Sequence, residues 1–402
     1  MVFWRFAFLG AWLAGVFAAC TRVEDAAPGP TVSAGGLGSA EGGQGGNDSA
    51  AGHGGEGQAG DAISSSGAPP TAELGLWPTF GSEGDGTDAD AVLAGVSALA
   101  AGSGTLPIYV PWNELSTSTG SVRASSLARL DAITGPYREQ GKKIALCLGI
   151  VDRTLPAWPL SGDLDVGEAA AAVERTIDEL LARYGDALSH LCFGYEVDRY
   201  LATASVDESA RLNELMEHAV ARAQSAALPG LAVGVAVTLE AFASSAATLA
   251  EVRALQQGDE IVATYDPLHG DGSLKDPEAA ADELSAALDL LPEVEGRRLP
   301  LALFEAGFPR VAETEESEQA QRAFFEAIFS TLDARTDELS FVGLFGLGDR
   351  ALTSCDAEAL AFGGSAELLA TRSLARCSIG LRAVSGPRLA WPVAVSALSR
   401  YR

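Results

Sequence analysis

From Glu73 onward, short apolar runs alternate with long amphipathic ones. The short runs are Leu74–Phe80, Leu106–Trp112, Lys143–Val151, His190–Glu196, Leu231–Leu239, Glu260–Tyr265, Leu299–Glu305 and Phe341–Leu347. None alternates regularly between polar and apolar positions, and polar residues or glycine bound each one. That pattern predicts strands buried on both faces, as in a parallel sheet. Helical spacing fills the intervals, for example over Val166–Tyr184, Asp207–Ala226, Pro277–Leu291 and Glu316–Leu332. A strand followed by a helical stretch, repeated around a ring, predicts an α/β chain whose residues 73–402 form a (β/α)8 TIM barrel. The alternative is a doubly wound open sheet, which seldom needs this many parallel strands and leaves edges to cover.

The first 72 residues carry a different pattern. Arg5 is the only charge before an apolar run through Phe6, Phe8, Leu9, Trp12, Leu13, Val16 and Phe17, which ends in Ala18-Ala19-Cys20. The run is short for a bilayer span and closes on small residues, as a cleavable signal does. A cysteine directly after Ala-Ala resembles the bacterial lipoprotein signal, so residues 1–19 are expected to be removed and Cys20 lipidated. An ordinary secretory signal with Cys20 incidental is the other reading. Residues 20–72 then form a Gly/Ser-rich linker without Phe, Tyr or Trp, which predicts a random coil. Its mean reach is roughly 40 Å, enough to lift a domain off a membrane surface. The expected location is outside the cytoplasm, periplasmic or on the outer cell surface, as a monomer.

Charge and cysteine use narrow the functions. Lys plus Arg number 27 against 54 for Asp plus Glu, a formal net charge of -27 over 402 residues. So acidic a surface repels phosphate backbones, which excludes nucleic-acid binding, and it disfavours docking on anionic lipid through charge alone. Export permits a disulfide. Cys355 and Cys377 share the polar C-terminal region and are the expected pair, whereas Cys147 and Cys192 sit in apolar runs as buried thiols. Of the four histidines no two stand at ligand spacing, which argues against the His-bound metals of other barrel hydrolases. No Gly-rich nucleotide loop and no Gly-x-Ser-x-Gly elbow occurs. No metal or cofactor is expected.

In such barrels the active site lies at the C-terminal ends of the strands. Those ends supply Trp77, Trp112 with Asn113 and Glu114, Asp152, Glu196 with Asp198, Glu240, Tyr265 with Asp266, Glu305, and Asp349. Apolar strands deliver Glu196 and Glu305, and a carboxylate at the end of a buried strand must enter a cleft or find a partner. By run count they close strands four and seven, which face each other across the mouth. Glycoside hydrolysis needs such an opposed pair. A plain salt bridge is the alternative, with Arg350, Arg153 or Arg199 as partner. Trp77, Trp112 and Trp158 fall at or just beyond the first three strand ends. They are candidates for stacking on sugar rings or, alternatively, for core packing.

Several stretches together resemble clan A glycoside hydrolases, in particular the arabinogalactan endo-galactanase group. Trp112-Asn113-Glu114-Leu115 with Gly120 resembles their Trp-x-x-Leu-Glu-Pro…Gly, and Gly194-Tyr195-Glu196-Val197-Asp198 their Gly-Asn-Glu. Thr264-Tyr265-Asp266-Pro267-Leu268 is similar to Ser-Tyr-Tyr-Pro, and Phe304-Glu305-Ala306-Gly307-Phe308-Pro309 to Glu-x-Gly-(Trp/Phe)-Pro. Gly380-Leu381-Arg382 with Gly386-Pro387-Arg388-Leu389-Ala390-Trp391 resembles the closing segment. The resemblance implies a retaining hydrolase of β-linked glycans, with Glu196 as acid/base and Glu305 as nucleophile. It also makes Tyr195, Tyr265, Asp266 and Phe308 substrate-contacting candidates beside Trp77 and Trp112. Two positions depart from it. Tyr195 stands where the clan has the asparagine that holds a substrate hydroxyl. Asp266 stands where a clan tyrosine bonds the nucleophile. The departures favour the rival reading, a carbohydrate-binding or surface-interaction lipoprotein without activity, whereas retention of both Glu196 and Glu305 favours the hydrolase, which is the first reading.

Overall fold

The computed structural model describes residues 72–78, 88–153, 155–158, 166–244, 255, 257–269, 273–294, 296–310, 314–349, 355, 366–383 and 386–401. The predicted signal, Cys20, the linker through residue 71, Phe80 and Arg350 lie outside the described residues. The barrel strands are β1 (Glu73–Leu76), β2 (Thr105–Pro111), β3 (Lys143–Asp152), β4 (Leu188–Tyr195), β5 (Ala232–Thr238), β6 (Ile261–Tyr265), β7 (Leu301–Ala306) and β8 (Leu339–Leu344). Each pairs in parallel with the next, and β8 returns to β1 with Glu73 opposite Phe341 and Leu76 opposite Leu344. The ring is closed, and the fold is the (β/α)8 barrel.

Around it lie α1 (Asp88–Ala100), α2 (Ala124–Glu139), α3 (Val166–Tyr184), α4 (Val206–Ser225), α5 (Pro277–Asp289), α6 (Glu315–Ala334), α7 (Ala366–Cys377) and α8 (Trp391–Arg400). Local chemistry sets their starts. Ser205 and Glu208 form a reciprocal capping box before α4, and Asp276 caps α5 with Pro277 in its first turn. On α3 the buried Ala169, Val173, Ile177 and Leu180 recur every three or four residues, which turns one stripe to the sheet.

Two apolar layers follow from the strand pleat. Inside the ring lie mainly small side chains and rings: Ala145, Cys147, Cys192, Ala236, Phe304 and Phe341 among them. Outside it, Leu, Ile and Val from the alternate strand positions meet the helices. Cys147 and Cys192 stand opposite each other in register as free thiols. Cys355 and Cys377 form a disulfide with Cα atoms 5.8 Å apart.

The N-terminal end of the barrel is closed by charge. His190 Nδ1 lies 3.0 Å from Glu260 Oε1, and His190 Nε2 lies 3.7 Å from Glu73 Oε2. Thr105 and Ser189 donate to Glu73, and Ser340 to Glu260. Burial opposes the imidazolium, yet Glu260 and Glu73 outweigh it and raise the His190 pKa to about 10. Glu73, against its own burial, is lowered to about 2 by His190 and its two hydroxyl donors.

Candidate active site

The chain turns sharply at the end of β4. Gly194 has φ +69°, and a Cβ there would sit 2.3 Å from Val197 Cγ2, so only glycine fits. Glu196 follows in the left-handed region at φ 54°, ψ 51°, before the short helix Val197–Leu201. Arg153, at the end of β3, has φ 54° as well. Non-glycine residues seldom adopt this conformation, and such outliers concentrate at functional sites.

Glu305 reaches the same end by a different device. Between Leu303 and Glu305, β7 advances two residues while β6 advances one, from Ala263 to Thr264. The extra residue is Phe304, whose ring stays inside the barrel. Such a bulge re-aims the side chain that follows it.

Glu196 and Glu305 are each 2% exposed. Two neighbours link them. The Tyr195 hydroxyl, from the residue just before Glu196, donates to Glu305 Oε2. The Thr264 hydroxyl donates to Glu196 Oε1 at 3.3 Å, and Thr264 is the register partner of Glu305. The two carboxylates therefore converge on one region of the mouth.

Basic residues hold Glu196 on its other side. Its Oε2 lies 2.7 Å from Arg199 Nε and 3.5 Å from Arg153 Nε. Arg153 also meets Asp152 at 2.9 Å, and Arg199 meets Glu240 at 3.5 Å. Lys275 joins Glu240 at 3.2 Å to Glu283 at 2.8 Å. Burial lowers the Arg199 pKa, but Glu196 and Glu240 together raise it. Burial raises that of Glu240 in spite of Arg199 and Lys275. Tyr109, beside Tyr195, is pushed well up by burial and then by Asp152. Asp266 is half-buried and acts electrostatically on both Arg199 and Glu240.

The aromatic candidates divide. Trp77 is half-buried at the end of β1, donates from Nε1 to the Phe304 carbonyl at 2.8 Å, and packs edge-on against Phe304 and Phe345. It therefore borders Glu305. Trp158 is partly buried against Tyr200. Trp112 is fully buried with Nε1 donating to Thr176 of α3, and Phe308 lies against Phe324 of α6. The Tyr265 hydroxyl donates to Glu283 at 2.9 Å and lies 3.3 Å from the Ala280 carbonyl, both on α5. Trp112, Tyr265 and Phe308 are all buried and meet the helices α3, α5 and α6. Sequence reasoning did not single out Tyr109, Thr264 or Lys275. Thr264 lay within a recognised motif, whereas nothing local marked Tyr109 or Lys275.

No protein-family model matches the chain, and no curated protein matches its sequence. Solved structures do match in fold. An exo-beta-1,4-mannosidase from Opitutaceae bacterium strain TAV5 has TM-score 0.61 and 13% identity over 82% of this chain, which spans 59% of that protein. A GH5_18 protein from Bifidobacterium longum subsp. longum, solved in complex with Manb1-4GlcNAc, has TM-score 0.60 and 16% identity, covering 82% of this chain and 78% of that one. A family 39 glycoside hydrolase from Bacteroides cellulosilyticus WH2 gives TM-score 0.53 and 10% identity, over 82% and 64%. At these identities the likeness is one of fold: the chain is a (β/α)8 barrel of the kind that family 5 and family 39 glycoside hydrolases share.

Proposed function

We propose that the protein is a retaining hydrolase of a β-linked oligosaccharide or polysaccharide. One observation carries this reading: buried Glu196 and Glu305, delivered by β4 and β7, converge through Tyr195 and Thr264. In a retaining mechanism the carboxyls stand about 5–5.5 Å apart. Glu305 attacks the anomeric carbon while Glu196 passes a proton to the departing oxygen. Glu196 then deprotonates the water that releases the sugar from Glu305. Trp77 offers a ring beside the nucleophile. Every group in the scheme belongs to the chain, so it calls for no cofactor. The exported, Cys20-anchored topology expected from the sequence belongs to the same proposal and suits a surface glycan.

A second reading, a glycan-binding barrel without turnover, is favoured by the pairing of Glu196 with both Arg199 and Arg153. A proton on that carboxyl has to displace an ion pair. Aryl β-glycosides and natural β-glycans separate the two readings. The hydrolase reading expects turnover that Glu305→Gln abolishes with the fold intact. It also expects Glu196→Ala to spare aryl glycosides with good leaving groups, which depart unprotonated. Glycan binding with no turnover anywhere in the panel would establish the second reading.

A further inference from the structure

The resemblance implies an asparagine where Tyr195 stands, and a nucleophile-bonding tyrosine where Asp266 stands. We infer that Tyr195 is the positioning residue for Glu305, so that the hydroxyl which steadies the nucleophile comes from β4 rather than from β6. The inference rests on the reading of Glu305 as nucleophile.

The geometry leaves Tyr195 little freedom. It is 3% exposed, with the Arg153 guanidinium 4.8 Å above its ring and the Tyr109 ring centroid 4.8 Å away. Its carbonyl accepts from the Arg153 backbone N–H at 2.8 Å. A ring so enclosed holds its hydroxyl in one place, and that place is against Glu305 Oε2. On β6, by contrast, Tyr265 turns outward to Glu283 and Ala280, and the inward hydroxyl is that of Thr264, which serves Glu196. A tyrosine hydroxyl donating to a carboxylate favours its charged form and fixes the plane of the group. Both are what an attacking carboxylate needs. Tyr195 thus occupies the asparagine position while performing the tyrosine's task.

Tyr195→Phe removes the hydroxyl and keeps the ring. The first readout is independent of turnover: the titration of Glu305, followed by 13C NMR on side-chain-labelled glutamate and assigned with Glu305→Gln. The midpoint is expected to rise by roughly one unit in Tyr195→Phe, and to stay in place in Tyr265→Phe. In the kinetics, kcat is expected to fall about 10–100-fold with KM nearly constant, and the acidic limb of the pH profile to move to higher pH. Should the phenylalanine variant fail to fold, difluorotyrosine at the same position keeps shape and hydroxyl but makes a stronger donor, and the midpoint is expected to fall. A Glu305 midpoint indifferent to the residue at this position overturns the inference. A shifted midpoint in a protein that hydrolyses nothing keeps the Tyr195–Glu305 contact and removes the hydrolase reading instead.

Discussion

Arg199 Nε lies 2.7 Å from Glu196 Oε2, three residues back along the chain, and its other end lies 3.5 Å from Glu240. One guanidinium thus joins the ends of β4 and β5. Glu196 is nearly inaccessible to water, and Arg199 and Arg153 are the cations that meet its Oε2. Replacing Arg199 by methionine keeps the aliphatic stem and removes the charge. We expect a loss of about 1–3 kcal/mol in urea unfolding, since one of two partners remains. The double variant Arg199→Met with Glu196→Gln is expected to recover part of it. A single variant as stable as wild type would mean that Arg153 alone suffices.

The charged floor predicts a stability window in pH. The folded-state pKa of His190 is raised from 6.5 to about 10. Its contribution is therefore complete below about pH 6.5 and is lost as pH rises through about 10. Glu73 is lowered from 4.5 to about 2, so its contribution is present above about pH 4.5 and is lost on acidification towards 2. His190→Leu leaves Glu260 buried and unmatched at a cost of about 3–5 kcal/mol. Thermal midpoints of wild type and variant are expected to differ most near pH 5–6 and to converge towards pH 10. A gap that is constant across this range would place the cost in packing against Phe341 rather than in charge.

Cys355 and Cys377 close a loop with a sequence separation of 22. On the chain-entropy estimate the bridge stabilises by about 3 kcal/mol. Thiol counting on a denatured, unreduced chain begun at residue 73 is expected to find Cys147 and Cys192 alone. Reduction is expected to lower the thermal midpoint, and a count of four thiols would refute the bridge.

Anchoring is tested at the other end of the chain. Cys20→Ser is expected to move the protein from the membrane fraction to the soluble one. Continued pelleting with membranes would remove the lipoprotein reading.

Run spacing made the barrel legible, because a parallel strand buried on both faces is apolar over most of its length, as β5 is from Val233 to Val237. Which way the final side chain of a run points was not legible. Trp112 starts a helical turn that carries its ring towards α3, and Tyr265 ends β6 facing the helices. Strict alternation would put Glu305 on the opposite face from inward-facing Phe304, and only the bulge brings both to the mouth side. A bulge is a property of pairing between distant segments, and no local pattern announces it. The salt-bridge partners of Glu196 were within reach, since Arg153 directly follows β3 and Arg199 lies in the short helix after β4. That both would hold one oxygen was not.

The chain of contacts from Asp152 through Arg153, Glu196, Arg199, Glu240 and Lys275 to Glu283 sets four carboxylates against three cations. Along that chain of contacts opposite charges nearly cancel, with one carboxylate in excess, inside a molecule of formal charge -27. Two fields of different kinds coexist: a long-range repulsive one over the surface, and a short-range, nearly balanced one along this chain of contacts. Added salt damps the first over a Debye length of about 10 Å at 0.1 M and reaches the buried pairs far less. Molecules of this protein therefore lose their mutual repulsion in brine well before the buried Arg153–Glu196 pair parts.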